Sequence, residues 1–307
     1  MSTQFDVIIP CAGKDISFVP RVVTYVRKCF DDAEKIYIIT NAKFAGKLHK
    51  FLGDLSNDCV VLDENDLLSG LTFGNVGKLL RTKKDGLSTG WFFQQFLKYA
   101  FALTQYADKY YLTWDADTLP LNKIRFFEDE HPYFTRKIEY NENYFKTIDK
   151  LLGLHKQNDF SFIAEHMLFD PVLVKKLLAE IEKSSVAGGN WIEKIINAGD
   201  YDDPKPSFSE FETYGTYVSQ KYPDLYYTRQ LNTFRCGGFI QGRNITDAKL
   251  NKIAFDCDTI SFEYGHEPLF PYNLYCKFQF YWLIFVTLRK YSIKDILKRS
   301  LSHFCKW

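Results

Sequence analysis

Lys109-Tyr110-Tyr111-Leu112-Thr113-Trp114-Asp115-Ala116-Asp117-Thr118 is the stretch on which the reading of the fold turns. A β-rich apolar run brings two carboxylates, two positions apart, to the end of a strand, and in an α/β sheet the carboxyl ends of strands are where ligands bind. Two hard oxygen donors placed there suit a divalent cation that holds a diphosphate. Working outward, Phe5-Asp6-Val7-Ile8-Ile9, Lys35-Ile36-Tyr37-Ile38-Ile39 and Cys59-Val60-Val61-Leu62 read as three earlier strands. Helical spacing runs over 19–30, through Phe44, Leu48 and Phe51, and strongly over 91–106. This alternation predicts an α/β fold with a parallel sheet flanked by helices and joined by right-handed crossovers.

The second half is less regular. A strand is expected over 160–164, helices over 171–183 and 191–197, and a helix that starts near Ser207 or Ser209 with Glu210 in its first turn. Late strands are expected within 226–239 and 259–263, and no repeat or low-complexity segment interrupts the chain. We expect one domain over 1–273 and a basic, aromatic, amphipathic helical tail over 274–307.

At 307 residues the chain buries an ample core, and 28 Phe with 20 Tyr fill that core or line a sugar-binding cleft. The formal charge of +1 is unevenly spread: from position 274 onward seven Lys or Arg face one acidic residue, a local +6 that leaves the body net acidic. An acidic body speaks against nucleic-acid binding. Seven scattered cysteines with no C-x-x-C pair point to reduced thiols in a cytoplasmic setting. A strand begins almost at the N-terminus and no apolar run reaches about 18 residues, so neither a signal peptide nor a membrane span is expected.

Ile8-Ile9-Pro10-Cys11-Ala12-Gly13-Lys14-Asp15 ends the first strand beside the carboxylate strand, with a close-approach glycine and a Lys/Asp pair. Lys14 could meet phosphate there, and Asp15 could accept from base or ribose; an ordinary βα turn is the alternative. Ile8-Ile9-Pro10, followed about a hundred residues later by Trp114-Asp115-Ala116-Asp117, resembles the GT-A glycosyltransferases. Ser209-Glu210-Phe211-Glu212-Thr213-Tyr214-Gly215 resembles the S-E-x-E-T-Y-G element of a mostly bacterial family of that fold, and the likeness spans about 5–268.

The resemblance implies a nucleotide-diphosphate sugar donor, a glycan or lipid-linked acceptor, and Mn²⁺ or Mg²⁺ held by Asp117 and Asp115, with Asp117 ranked first and His266 as third ligand. The implied donor contacts are Pro10, Ala12, Gly13, Lys14, Asp15, Asn41, Asp115 and Ala116, with Trp91, Gln94 and Gln95 from the helix before the carboxylate strand and Arg235 from a later Gly-Gly turn. Glu165 and His166 are read as acceptor contacts. The resemblance also implies a mixed, mainly parallel GT-A sheet and a transfer that inverts the anomeric centre, which needs a carboxylate to take the acceptor's proton. Glu210 and Glu212 sit two apart, on different faces of a helix, so one should reach the cleft; Glu212 is taken as the base and Glu210 as a ligand contact. Charge stabilisation in a helix's first turn is the plainer role for Glu210.

In the tail, Phe278-Gln279-Phe280-Tyr281-Trp282-Leu283-Ile284-Phe285-Val286 precedes Arg289, Lys290, Lys294, Lys298 and Arg299. Such a segment lies in an anionic headgroup region at the inner face of a membrane, or packs on the domain or in a homodimer. Two rival functions remain. Asp115-Ala116-Asp117-Thr118 also fits a haloacid-dehalogenase-like phosphatase with Asp115 as nucleophile, although that motif ends the first strand of its fold and three strands come earlier here. The other rival is a non-catalytic glycan-binding protein.

Overall fold

The six residues of β1 (Phe5–Pro10) are buried throughout, as a strand must be when strands flank it on both sides and helices cover both faces. The computed structural model describes residues 3–288 and 292–301. The chain divides into two compact units, Met1–Leu231 and Asn232–Trp307. Position 273, where the sequence reading ends its domain, lies inside a helix of the second unit.

In the first unit β1 is followed by α1 (Val19–Cys29), β2 (Ala33–Thr40), α2 (Ala42–Leu52), β3 (Cys59–Asp63), α3 (Phe73–Arg81), α4 (Thr89–Ala100) and β4 (Tyr111–Trp114). Then come β5 (Thr118–Pro120), β6 (Phe127–Glu128), β7 (His131–Thr135), α5 (Glu142–Leu152), β8 (His166–Phe169), α6 (Pro171–Lys183), α7 (Trp191–Ala198), α8 (Glu210–Lys221) and β9 (Tyr227–Arg229). The main sheet has the order β3-β2-β1-β4-β8. Its first four strands are parallel and β8 is antiparallel to β4, which is the α/β class the sequence predicts. Because β2 and β3 extend the sheet to one side of β1 and β4 to the other, strand order reverses between β1 and β4. Ligands of open α/β sheets bind at the carboxyl end of that switch point.

The register aligns those ends: Pro10 pairs with Ile39, Thr40 with Asp63, and Ile8 with Thr113. The helices start where the sequence supplies caps. Asn41 accepts from Lys43 N to open α2, Asp170 from Val172 N to open α6, and Ser209 from Glu212 N to open α8. The largest fully buried side chains are aromatic, among them Trp114, Tyr99, Tyr111, Tyr214 and Tyr217. Nearly half of the Phe and Tyr side chains are in the core.

The second unit holds β10 (Thr233–Phe234), α9 (Gly237–Gln241), α10 (Asp247–Ile253), β11 (Thr259–Ser261), α11 (Tyr272–Leu288) and α12 (Ile293–Leu301). β10 and β11 are parallel, and α12 packs on α11. No helix of the described residues is long and apolar enough to cross a membrane.

Two expected strands differ from what forms. Within 160–164 only Ser161 bridges, to Lys137, and the strand is β8 instead. The reason is a contact distant in sequence: Glu212 accepts from Phe162 N at 3.2 Å, the bond a neighbouring strand would make, and from Ser161 Oγ at 2.6 Å. The 226–239 strand breaks into β9 and β10, and its end coils into α9, where a Cβ on Gly237 would stand 2.7 Å from Ser261 O.

Candidate functional site

A cavity of about 530 Å³ opens at the carboxyl ends of β1, β2 and β3, closed on its far side by the first turns of α4. Seven of the residues expected to touch a donor line it: Pro10, Ala12, Gly13, Lys14, Asn41, Trp91 and Gln94. Gly13 is needed for the shape of the wall, because a Cβ there would stand 2.4 Å from the Phe44 ring. Asp15 and Gln95 are buried and off the lining. Gln95 Oε1 instead accepts from Glu210 N at 3.1 Å.

Sequence reasoning passed over one carboxylate of this cavity. Glu64 follows β3 directly, its N–H donates to Thr40 O at 3.0 Å, and Asn41 Nδ2 donates to its Oε1 at 3.1 Å. Burial holds its pKa above the ordinary carboxylate value, against the lowering effect of the Asn41 bond.

The carboxylates of the opening stretch stand on a tight turn. Trp114 Nε1 donates to Thr118 O at 2.8 Å and Thr118 N to Asp115 O at 3.1 Å, while Asp115 N donates to Glu165 O at 3.1 Å. Ala116 is buried between Asp115 and Asp117, which are both partly exposed. Lys98 reaches this turn from α4. Its Nζ donates to Asp115 Oδ1 at 3.2 Å and to Glu210 Oε1 at 2.8 Å, and its side chain is 4% exposed. Burial works against the ammonium, yet the two carboxylates overcome it and hold the Lys98 pKa above its usual value. Lys98 is the second residue sequence reasoning missed; the signal was a lone charge inside the apolar run 96–101.

Glu210 and Glu212 do lie on different faces, but both are buried and neither lines the cavity. Glu210 faces Lys98, and its backbone carbonyl accepts from Tyr99 OH at 2.6 Å. Glu212 faces Ser161 and Phe162, and burial raises its pKa while the Ser161 bond lowers it.

Glu165 and His166 are also buried. Lys137 Nζ lies 3.4 Å from Glu165 Oε1, and the His166 ring stacks on Trp114 with 5.0 Å between centroids and shares a 3.0 Å hydrogen bond with Thr135 Oγ1. Burial, aided by Arg229 and Lys137, keeps His166 well below the ordinary imidazole pKa. Arg235 and His266 belong to the second unit. Both approach Glu263, at 3.7 and 3.6 Å, and the His266 ring stacks on Phe239 at 4.0 Å. In the tail, Lys294 and Lys298 are exposed on α12, while Arg289 and Lys290 lie outside the described residues.

Among the described residues no three His, Cys, Asp or Glu side chains gather as a metal cage. Asp115 and Asp117 nevertheless fit a hard cation, because Mg²⁺-like ions are commonly held by one or two carboxylates and complete their shell with substrate phosphates and water.

Several solved structures are similar in fold. Mouse xyloside xylosyltransferase 1 has 11% identity and a TM-score of 0.45 over 87% of this chain and 99% of that one. The galactosyltransferase LgtC has 11% identity and a TM-score of 0.44 over 97% of this chain and 96% of that one. The glycosyltransferase GlyE of Streptococcus pneumoniae has 10% identity and a TM-score of 0.41 over 99% of this chain and 65% of that one. At such values the likeness assigns no activity to this chain. No curated protein matches it in sequence. Residues 3–234 match a family described as a family of unknown function, DUF6492, and the chain belongs to that family.

Proposed function

We propose that the chain is a metal-dependent glycosyltransferase that moves a sugar from a nucleotide-diphosphate donor to a glycan or glycolipid acceptor in cell-surface glycan synthesis. One observation carries this reading: β1, whose end lines the cavity, pairs at the switch point with β4, which carries Asp115 and Asp117 at its end, outside that lining. Asp117, with Asp115, would hold Mn²⁺ or Mg²⁺; when bound, such an ion offsets the charge that develops on the departing diphosphate. Lys98 keeps one oxygen of Asp115 in a fixed direction and links it to α8. Lys14 supplies a cation at the cavity wall, and Trp91 and Gln94 offer a ring face and an amide to the donor.

Inversion would require one of the two glutamates at the acceptor hydroxyl. Both are buried, so the transfer we adopt retains the anomeric configuration. The α12 surface supports a lipid-linked acceptor, because Lys294 and Lys298 stand exposed beside exposed Ile293, Leu297 and Leu301.

The test is a panel of nucleotide sugars incubated with the full chain and Mn²⁺, reading release of nucleoside diphosphate. One donor should turn over, with chelator abolishing turnover and Asp117→Ala lowering it by more than the roughly 100-fold that loss of a metal's outer-shell partner costs. Release of inorganic phosphate from p-nitrophenyl phosphate, with no donor consumed, would favour the phosphatase reading instead.

A further inference from the structure

The end of the cavity away from Asp115 has its own chemistry. Glu64 stands at the edge of β3, beside Asn41 at the end of β2. Three strand spacings separate β3 from β4 in the order β3-β2-β1-β4, about 14 Å along the sheet edge. An extended nucleoside diphosphate spans such a length, so a pyrophosphate near Asp115 and Asp117 puts its base at Glu64.

The Glu64 carboxylate is held in place. Asn41 is fixed at both ends of its amide, with Oδ1 accepting from Lys43 N at 3.2 Å and Nδ2 donating to Glu64 Oε1 at 3.1 Å. That bond uses one of about four acceptor sites on a carboxylate. Flat apolar surface lines the same cavity: Phe44, laid against Gly13, and Phe73, 46% exposed. Rings so placed stack on a planar heterocycle.

A carboxylate presents two acceptors side by side, and the base it suits must present two adjacent donors. Guanine does so with N1–H and the 2-amino group. Uracil offers one N–H between two carbonyl oxygens, which would face the carboxylate's second oxygen. Adenine and cytosine each put an unprotonated ring nitrogen next to their amine. We infer that Glu64, oriented by Asn41, reads the base of the donor and that this base is guanine. The inference rests on the nucleotide-sugar reading above and makes it specific.

Titration calorimetry of the full chain with GDP, IDP, UDP, ADP and CDP, each with Mg²⁺, tests it. GDP should bind tightest. IDP lacks the 2-amino group and should bind about tenfold to a hundredfold more weakly, the range for one hydrogen bond to a charged acceptor. Glu64→Gln keeps the side chain's size and an oxygen for Asn41 but turns a donor toward one of the guanine donors. It should lose about tenfold or more for GDP and shrink the GDP–IDP difference, with circular dichroism and melting temperature confirming a folded protein. Tightest binding of UDP, equal binding of GDP and IDP, or GDP affinity unchanged in Glu64→Gln would overturn the guanine assignment and leave the nucleotide-sugar reading standing. Binding of none of the five would sink both.

Discussion

Lys98 stands between two carboxylates, one buried and one a third exposed, and its charge is what allows them to share that space. Removing one partner of a buried ion pair leaves the rest uncompensated, whereas replacing the whole group by apolar side chains is often neutral. Lys98→Met should therefore cost about 3 kcal/mol in urea denaturation. Adding Glu210→Leu should restore most of that loss while donor turnover stays low, because Asp115 would still have lost its fixed direction. His166 gives a second prediction at this scale. Its pKa is depressed below 6.5 in the folded protein, so below that pH the unfolded chain binds the proton and the folded chain resists it. The stability this contributes is present above 6.5 and is lost as pH falls. Relative to wild type, His166→Phe should gain stability as pH drops from about 7 to about 5, read from urea midpoints at each pH. A pH-independent difference between the two proteins would show that His166 charges freely in the fold.

At the scale of elements, α8 ties the site to the core. Ser209 caps it, Glu210 reaches Lys98, Glu212 holds the 161–162 backbone, and Gly215 lies against Phe162, where a Cβ would come within 2.2 Å of the ring. Gly215→Ala should cost about 2 kcal/mol, near the middle of the range for an overpacked core. Phe162→Leu should relieve part of it, measured as a coupling in a double-mutant cycle. The same helix marks where the sequence was legible and where it was not. Buried parallel strands such as 5–9 and 36–39 announce themselves because both faces are apolar, and Ser209 signals a helix start through its cap. The 160–164 segment misled because its apolar residues look like a strand while its hydrogen-bond partner, Glu212, is fifty residues away and invisible to any local pattern. In the cavity, Pro10 to Lys14 followed from a strand end and a glycine. Glu64 is also a strand-end acid, on the same logic as Asp115, but without Asn41 beside it nothing singled it out from Asp63. Lys98 needed the opposite inference: a charge within an apolar helix has to find partners, and the sequence does not say which.

For the whole molecule, a formal charge of +1 conceals a separation of sign, with the basic excess confined to the last stretch of chain. In α12, Ile296 is fully buried while Lys294, Lys298 and their apolar neighbours Ile293, Leu297 and Leu301 are exposed. The membrane association proposed above rests on this helix, which is anchored by one face and carries both cations and aliphatic side chains outward. Each basic residue near such a surface contributes about 1 kcal/mol. Vesicles containing phosphatidylserine should therefore bind the full chain at low salt and release it as salt rises, since the attraction decays over a Debye length. Lys294→Glu with Lys298→Glu should weaken that binding by roughly thirtyfold or more, the equivalent of two such contributions. Donor hydrolysis should be unchanged in this variant, because the cavity lining lies between Pro10 and Leu97. Transfer to a lipid-linked acceptor in vesicles should fall with the loss of binding. If vesicle binding survives the reversal of both charges, α12 is a packing element of its own unit and the membrane contact must be sought on another surface.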